Sequence, residues 1–570
     1  MPAQNYRLLN NPQARNRPAG WETMVPTDED PDSSLSSIPS EYSLVSHIQE
    51  YQDEASSYND ALTRHDSTKW LDAMNKEIQQ LESTSTWELT ELPADRKPVK
   101  CKWTFKLKRD HTGAISRYKA RLVAKGFSQI PGIDFTETFA PVVRLETFRL
   151  LMAIAARYQL DIHVMDVIGA YLNGELSETI YMQQPPGYED GTNRVCQLHR
   201  SLYGLKQSGA VWNKKLNSEL INLGFTRLIA DQCVYIRRDS SSIAIIAVHV
   251  DDMTILASND LLMAQVKTEL STKFNVQDLG PVRQILGMEV TRVPESGAIT
   301  ITQTQYLKKI LERFGMSNCH PVATPRDPNI KLEKAPDNYI ATNELRSDYS
   351  AAIGSFNFAA VATCADIKCA VQELAQFMSN PTPTHWTAAK RVMRYFQGTL
   401  DLGITYTPSE EDPEIFSDAN WGTCAIDRKS VSGYAVMFGN AAVSWYSKKQ
   451  PTVALSTMEA EYMAVSNATR ESLWIRKLIT ELELPPRGPT TIHVDNQAAI
   501  KFSENSQFHA HSKHIDIRHH FIREHITSNE VSVQYCATDE NIADIFTKPL
   551  SKPKHEYFVQ KLGMTRANRS

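Results

Sequence analysis

The chain has 570 residues and a mass of 64.3 kDa. Single hydrophobic cores stop growing near roughly 250–300 residues, so one compact domain is excluded. Hydrophobic residues make up 41 % and charged residues 22 %, which excludes global disorder, and no apolar run nears the roughly 18 residues of a membrane-spanning helix. The net charge of -5 hides an asymmetry: residues 1–65 hold 4 basic and 10 acidic side chains, whereas the remainder holds 57 and 56.

In chain order, residues 1–65 are rich in Asn, Pro, Ser and Asp and lack apolar periodicity, and they are expected to form a disordered acidic tail. From Trp70 the texture changes. Trp70, Leu71, Met74, Ile78 and Leu81 recur at helical spacing, which predicts an amphipathic helix entering a folded unit. Next, residues 96–125 carry eleven Lys or Arg against the single acid Asp110. VKCKWTFKLKRD and ISRYKARLVAKGF alternate polar and apolar residues about His111-Thr112-Gly113, as a half-exposed hairpin would. Such a hairpin is either a solvated pair or a finger whose cations face phosphates.

Farther on, Asp166 ends a β-type run, and Asp251-Asp252 interrupt the apolar segment SSIAIIAVHVDDMTILAS. Carboxylates in such surroundings are costly unless paired or bound to cations. A doublet at a hairpin turn beside a neighbouring-strand Asp166 would offer three hard oxygen ligands for two divalent ions. Polar, Pro-punctuated joints follow Pro325 and span 407–413. Between them, two helices with Ala- and Phe-rich faces are expected to serve packing.

In the last third, Asp418 lies on a β-like segment, followed by alternating strands around a Gly-Asn turn. The predicted helix in LSTMEAEYMAVSNATRESLWIRKLI has Leu455, Tyr462, Val465 and Leu473 among its apolar positions and Glu459 and Glu461 near its start. Asp495 ends a strand and Asp544 lies on a late helix. That order suits convergence of four carboxylates at one end of a mixed sheet, with Glu459 read as solvated first-turn charge. Histidines 509, 511, 514, 519, 520 and 525 lack a companion cysteine pair, which argues against a zinc site. The eight cysteines contain no CxxC pair and read as reduced thiols, and the amino end has no apolar signal region. An intracellular protein, cytoplasmic or nuclear and not secreted, with no membrane partner, is expected.

Several blocks occur in order: YKARLVAKGFSQ, FAPVVRLETFRLL, MDVIGAYLNGEL, SLYGLKQSGAVW, HVDD and LGPVRQILGMEV. Through them the chain resembles the reverse transcriptase of copia-type LTR retrotransposons. SDANWG, RKSVSGY, SWYSKKQPTVALSTMEAEYMA, DNQAAI and ENIADIFTKPL resemble the RNase H part of the same family. The resemblance implies an α+β and α/β multidomain fold: a right-hand polymerase of fingers, palm and thumb, then an RNase H-like mixed-sheet domain. The boundaries expected are 1–65 tail, 66–325 fingers and palm, 326–410 thumb and connection, 411–550 RNase H-like, and 551–570 a second tail.

It further implies that Asp166, Asp251 and Asp252 are the polymerase carboxylates, and that Asp418, Glu461, Asp495 and Asp544 are those of the nuclease. Two Mg²⁺ ions per centre are implied, with Mn²⁺ as the alternative. Lys119 and Arg121 would meet the incoming triphosphate, and Tyr171 would gate against the ribose 2′-hydroxyl. Implied partners are an RNA template, a DNA primer, an RNA–DNA hybrid and dNTPs. Relative to the family pattern, His249 stands in place of Tyr, and Ile168-Gly169 in place of Lys-Thr. The activity implied is RNA-directed DNA polymerase with RNase H; the alternative is a catalytically inactive or weakened nucleic-acid-binding remnant. No protease, zinc knuckle or integrase finger pattern is present, so a carboxy-terminal portion of Pol is expected.

Overall fold

The computed structural model describes residues 54–109, 114–239, 242–422, 426–504 and 513–567, all in the unit Leu44–Ser570. Most of the expected amino-terminal tail, 1–53, lies outside the described residues. Its last part does not behave as a tail. Ser57 caps the helix Tyr58–Thr63, whose Ala61 is buried, and the Glu54 carboxylate accepts the Leu107 amide at 2.8 Å. A small apolar side chain and one carboxylate suffice to dock a segment that has no periodicity of its own.

Helix Ser67–Ser83 forms as its spacing predicts and buries Trp70, Met74, Ile78 and Leu81, whereas Leu71 points outward at 42 % exposure. Trp70 packs edge-on against Phe105 and Tyr118, which belong to the antiparallel hairpin Cys101–Arg109 and Ile115–Ala124. The register pairs Trp103 with Leu122 and Phe105 with Ala120, all four buried, so the intervening pairs Thr104–Arg121, Lys106–Lys119 and Lys108–Arg117 share the opposite face. Strand periodicity of two therefore sorts the basic run into one cationic face and one core face. The turn 110–113 lies outside the described residues.

A six-stranded antiparallel sheet runs in the order Val276–Pro281, Asp161–Val167, Asp252–Ala257, Ser242–His249, Val234–Asp239, Thr226–Arg227. Helices Ser208–Asn222 and Asp260–Lys273 bury Trp212, Leu216, Leu220, Val266 and Leu270 in the core of this layer. A smaller sheet joins Trp87–Thr90, Val195–Arg200 and Glu175–Met182. Where two helices were expected across 343–398 there are three, Asn343–Ala362, Lys368–Ala375 and Pro383–Gly398, which share a core with Thr304–Arg313. Asp366 lies in the break between the first two.

The last large layer is a mixed sheet, ordered Ala441–Lys449, Val431–Phe438, Glu414–Asn420, Thr490–Val494, Val531–Tyr535. Its first two pairings are antiparallel and its last two parallel. Helix Thr457–Glu481 packs against the central strand. Leu455, expected on its apolar face, precedes it and is 77 % exposed.

The expected carboxy-terminal tail is a second correction. Residues Lys552–Lys561 form a helix, and Met564–Arg566 pairs antiparallel with Leu402–Tyr406. That strand completes a five-stranded antiparallel sheet with Ile299–Thr302, Met288–Arg292 and Gln284–Ile285. Burial of Phe558, Leu562 and Met564 holds the segment down.

Under this segment lies a buried polar group. Tyr395 donates its hydroxyl to Asp366 Oδ2 at 2.5 Å, and the His555 ring meets Tyr395 edge-on at 5.5 Å. Burial pushes the Asp366 carboxyl up to about 6 and the His555 imidazole down to about 4. Because the folded pKa of Asp366 exceeds its unfolded value of 3.8, the folded chain loses stability as pH rises from about 4 through about 6. Asp366→Asn keeps an acceptor for Tyr395 and removes this ionisation. In urea unfolding it should match the parent near pH 4 and exceed it above pH 7 by roughly 2–3 kcal/mol. An equal difference at both pH values would remove Asp366 as the cause.

Candidate functional site

The first centre is built at one end of two inner strands of the six-stranded sheet, Asp161–Val167 and Asp252–Ala257. Asp252 lies directly across from Asp166 on one side and His249 on the other, so a two-residue loop, Val250-Asp251, joins the strands. Such loops need a positive φ, usually from Gly or Asn, and here Val250 adopts φ 58°, a strain of about 1–3 kcal/mol for a β-branched residue. Two bonds hold it: Trp212 Nε1 donates to the Val250 carbonyl at 2.7 Å, and the Val167 amide donates to the Asp251 carbonyl at 2.9 Å.

Burial, then the neighbouring Asp251 and Asp166, push the Asp252 carboxyl up to about 6. Burial and Asp251 also raise Asp166. The cationic face of the hairpin lies opposite. Lys119, Arg121, Asp166 and Asp251 line one cavity of about 130 Å³. Burial lowers the Lys119 pKa, as do Arg121 and Lys108, while Asp166 and Asp251 oppose the shift. Asp166 and Asp251 thus face the Lys119 and Arg121 cations across the cavity, Asp252 does not line it, and the three aspartates do not close into one tight ligand group. Asp251 is in the loop itself and Asp252 begins the next strand, so their side chains diverge.

Tyr171 stands on the single turn Ala170–Asn173 with its ring edge-on to Tyr203 at 4.8 Å. Tyr203 lines the cavity and carries the Arg121 guanidinium 4.4 Å above its ring. Sequence reasoning passed over Tyr203, although it lies within the SLYG block. It also passed over Glu77 and Gln80 of helix Ser67–Ser83, which line the same cavity. Gly169 has φ +67°, a backbone conformation that favours glycine, and a Cβ there would have to displace only the mobile end of the Gln80 side chain. Burial lowers the His249 pKa, with Asp251 opposing it.

The second centre lies at one end of the mixed sheet. Parallel register pairs Phe416 with His493, which brings Asp418 level with Asp495, and Glu461 reaches them from the first turns of helix Thr457–Glu481. Carboxylate oxygens of Asp418, Glu461 and Asp495 lie within 4.8 Å of one another, and among the described residues no other group of three or more His, Cys, Asp or Glu does so. Burial, then Asp418 and Asp495, drive the Glu461 carboxyl far above the usual range. Burial likewise pushes Asp418 up to about 6 against the pull of Lys548. Three hard-oxygen groups this close, two buried and Asp495 half-buried, are held against mutual repulsion, and a divalent cation fits them.

Asp544 does not join the trio. Lys548 Nζ stands between it and Asp418, at 2.6 Å from Asp544 Oδ1 and 3.1 Å from Asp418 Oδ1. Glu459, read from sequence as solvated, is buried, and its carboxylate accepts the Leu455 amide at 2.8 Å as a helix-start cap. Of the histidine-rich stretch, residues 505–512 lie outside the described residues, and His525 is bonded to Glu530 at 2.7 Å.

Residues 84–328 match the family described as Reverse transcriptase (RNA-dependent DNA polymerase). The chain is 39 % identical over 530 residues to the retrovirus-related Pol polyprotein from transposon TNT 1-94 of Nicotiana tabacum, covering 92 % of this chain and 40 % of that protein. It is 30 % identical over 311 residues to the putative transposon Ty5-1 protein of Saccharomyces cerevisiae, covering 54 % of this chain and all of that one. A foamy viral protease-reverse transcriptase solved with double-stranded DNA aligns over 85 % of this chain and 72 % of its own, at 11 % identity and a TM-score of 0.21, too low to bear on the fold. The chain spans about two-fifths of the length of the tobacco relative. By its matched residues and its full coverage of the yeast relative, the chain belongs to the copia-type retrotransposon Pol polyprotein family, with the reverse transcriptase part at 84–328.

Proposed function

We propose that the chain is an RNA-directed DNA polymerase with an RNase H activity, copying RNA into DNA and cutting the RNA strand of the hybrid. The observation that carries the reading is the cavity in which Lys119 and Arg121 face Asp166 and Asp251. In this reading the hairpin Cys101–Arg109 and Ile115–Ala124 is the fingers and the six-stranded sheet the palm, within 66–325. Residues 326–410 are thumb and connection, and 411–550 an RNase H-like domain whose mixed sheet carries Asp418 and Asp495. The partners are RNA template, DNA primer, hybrid and dNTPs, and the setting is intracellular.

Mg²⁺, or Mn²⁺ in its place, supplies two things when bound: a lowered pKa for the attacking hydroxyl and neutralisation of charge at the phosphorus. Asp166, Asp251 and Asp252 would hold it in the polymerase centre. Lys119 and Arg121 orient the triphosphate, and Arg121 is itself steadied over Tyr203. The primer 3′-hydroxyl loses its proton and bonds to the α-phosphorus as pyrophosphate leaves. Tyr171 gates against the ribose 2′-hydroxyl, its ring lying edge-on to Tyr203. In the nuclease centre Asp418, Glu461 and Asp495, with Asp544 beside them, serve hydrolysis of the RNA phosphodiester.

The alternative is a nucleic-acid-binding remnant without polymerase activity. It is favoured by one observation, that Asp166, Asp251 and Asp252 do not form a tight trio as the nuclease acids do. Primer extension on poly(rA)/oligo(dT) with Mg²⁺ or Mn²⁺ decides between them. Product from the chain, and none from Asp251→Asn/Asp252→Asn, is the expected result. No product from folded protein that still binds hybrid would establish the remnant.

A further inference from the structure

The carboxylates of the second centre are unequally engaged. Both oxygens of Asp544 are bonded to ammonium groups, Oδ1 to Lys548 at 2.6 Å and Oδ2 to Lys554 at 3.0 Å. Asp418 accepts Lys548 on Oδ1 at 3.1 Å and the Thr547 hydroxyl on Oδ2. Glu461 and Asp495, by contrast, have no ion-pair partner among the described residues; they accept only the Ala419 amide at 3.1 Å and the Thr538 hydroxyl at 2.8 Å. The trio therefore keeps free oxygen lone pairs for one cation, while the space between Asp418 and Asp544 already contains one.

Local geometry keeps Lys548 there. It follows Asp544 by four residues, and its amide donates to the Asp544 carbonyl at 3.0 Å, so one helical turn aims the ammonium back at the carboxylate. Its side chain retains 30 % exposure, which leaves a route by which a long flexible stem can swing out. Thr547, the adjacent residue, meanwhile fixes the other oxygen of Asp418.

We infer that Lys548 is a built-in competitor for a second divalent ion. It bridges Asp418 and Asp544, and it must leave before an ion can bind between them. The inference rests on the nuclease reading of this centre. It makes the first ion, at Asp418, Glu461 and Asp495, intrinsic to the fold, and the second conditional on displacing an ammonium. Two like charges cannot share a site a few ångströms wide without strong repulsion.

The test is Mn²⁺ binding, by calorimetry and by the electron paramagnetic resonance signal of free Mn²⁺, to the full chain carrying Asp251→Asn/Asp252→Asn so that the polymerase centre is silent. The parent should bind one ion tightly, lost on Asp495→Asn, and a second weakly. Lys548→Met should tighten the second by roughly tenfold or more without weakening the first. Adding Asp544→Asn should remove that gain. Lys548→Gln, which keeps stem length and a hydrogen-bond donor, provides the same readout if the methionine variant does not fold. Unchanged affinity for the second ion in a folded Lys548 variant would overturn the inference. Absence of any Mn²⁺ site sensitive to Asp495→Asn would instead overturn the nuclease reading itself.

Discussion

Replacing Asp495 with asparagine should abolish cutting of RNA in a hybrid, by about 10³-fold or more, while primer extension stays within about twofold of the parent. Asn is nearly isosteric and can still accept the Thr538 hydroxyl, which holds Asp495 Oδ2 at 2.8 Å, so the end of strand Thr490–Val494 need not move. What it removes is one of three anionic oxygens gathered within 4.8 Å, and with it the charge that would retain a divalent ion. Asp251→Asn should do the reverse, because it alters the cavity shared with Lys119 and Arg121 and not the mixed sheet. Both activities are read on one preparation, from an end-labelled RNA annealed to DNA and from a primed template. Loss of both activities from either single change would argue against two independent centres.

Arg149→Met should destabilise the folded chain by about 3–5 kcal/mol, the range for removing one partner from a buried ionic and polar network. Arg149 lies on helix Leu145–Tyr158 and is 1 % exposed. Its guanidinium donates to the carbonyl of Val443 at 2.7 Å, to that of Val361 at 2.7 Å and to that of Ala362 at 3.0 Å. It also lies 3.9 Å over the Trp445 ring and 3.5 Å from the Glu146 carboxylate. One side chain thus ties the helix to the edge strand of the mixed sheet and to the end of helix Asn343–Ala362. Methionine fills much of the volume but leaves two buried carbonyls and one part-buried carbonyl without this donor. Urea unfolding followed by circular dichroism should show the midpoint fall with little change in slope, or the transition split between the parts that Arg149 joins. A loss below about 1 kcal/mol would mean that water replaces the guanidinium at these carbonyls.

The amino-acid sequence by itself determined whatever depends on local periodicity or on costly residue types. Alternation through 101–124 dictated one cationic and one buried strand face, and three- and four-residue spacing dictated the buried stripe of Ser67–Ser83. Carboxylates placed among Val, Ile and Leu marked Asp166, Asp251 and Asp252, because charge in such surroundings demands a compensating partner. The tertiary structure alone decided what depends on segments distant in the chain. Pairing of Ile404 with Met564 turned an expected tail into an edge strand, and no local pattern in 564–566 announces its partner.

The same division runs through the candidate centres. Glu459 and Glu461 are two residues apart on one helix, yet one caps the helix start and the other meets Asp418 and Asp495, since residues two apart face different directions. Tyr203 lines the cavity and Tyr171 packs edge-on against it, a pairing of two segments about thirty residues apart that no local pattern announces. Asp544 was legible as an acid on a late helix; that an ammonium stands between it and Asp418 was not. Local sequence specifies which groups a helix or strand presents, and only the packing of elements specifies which of those groups share a site.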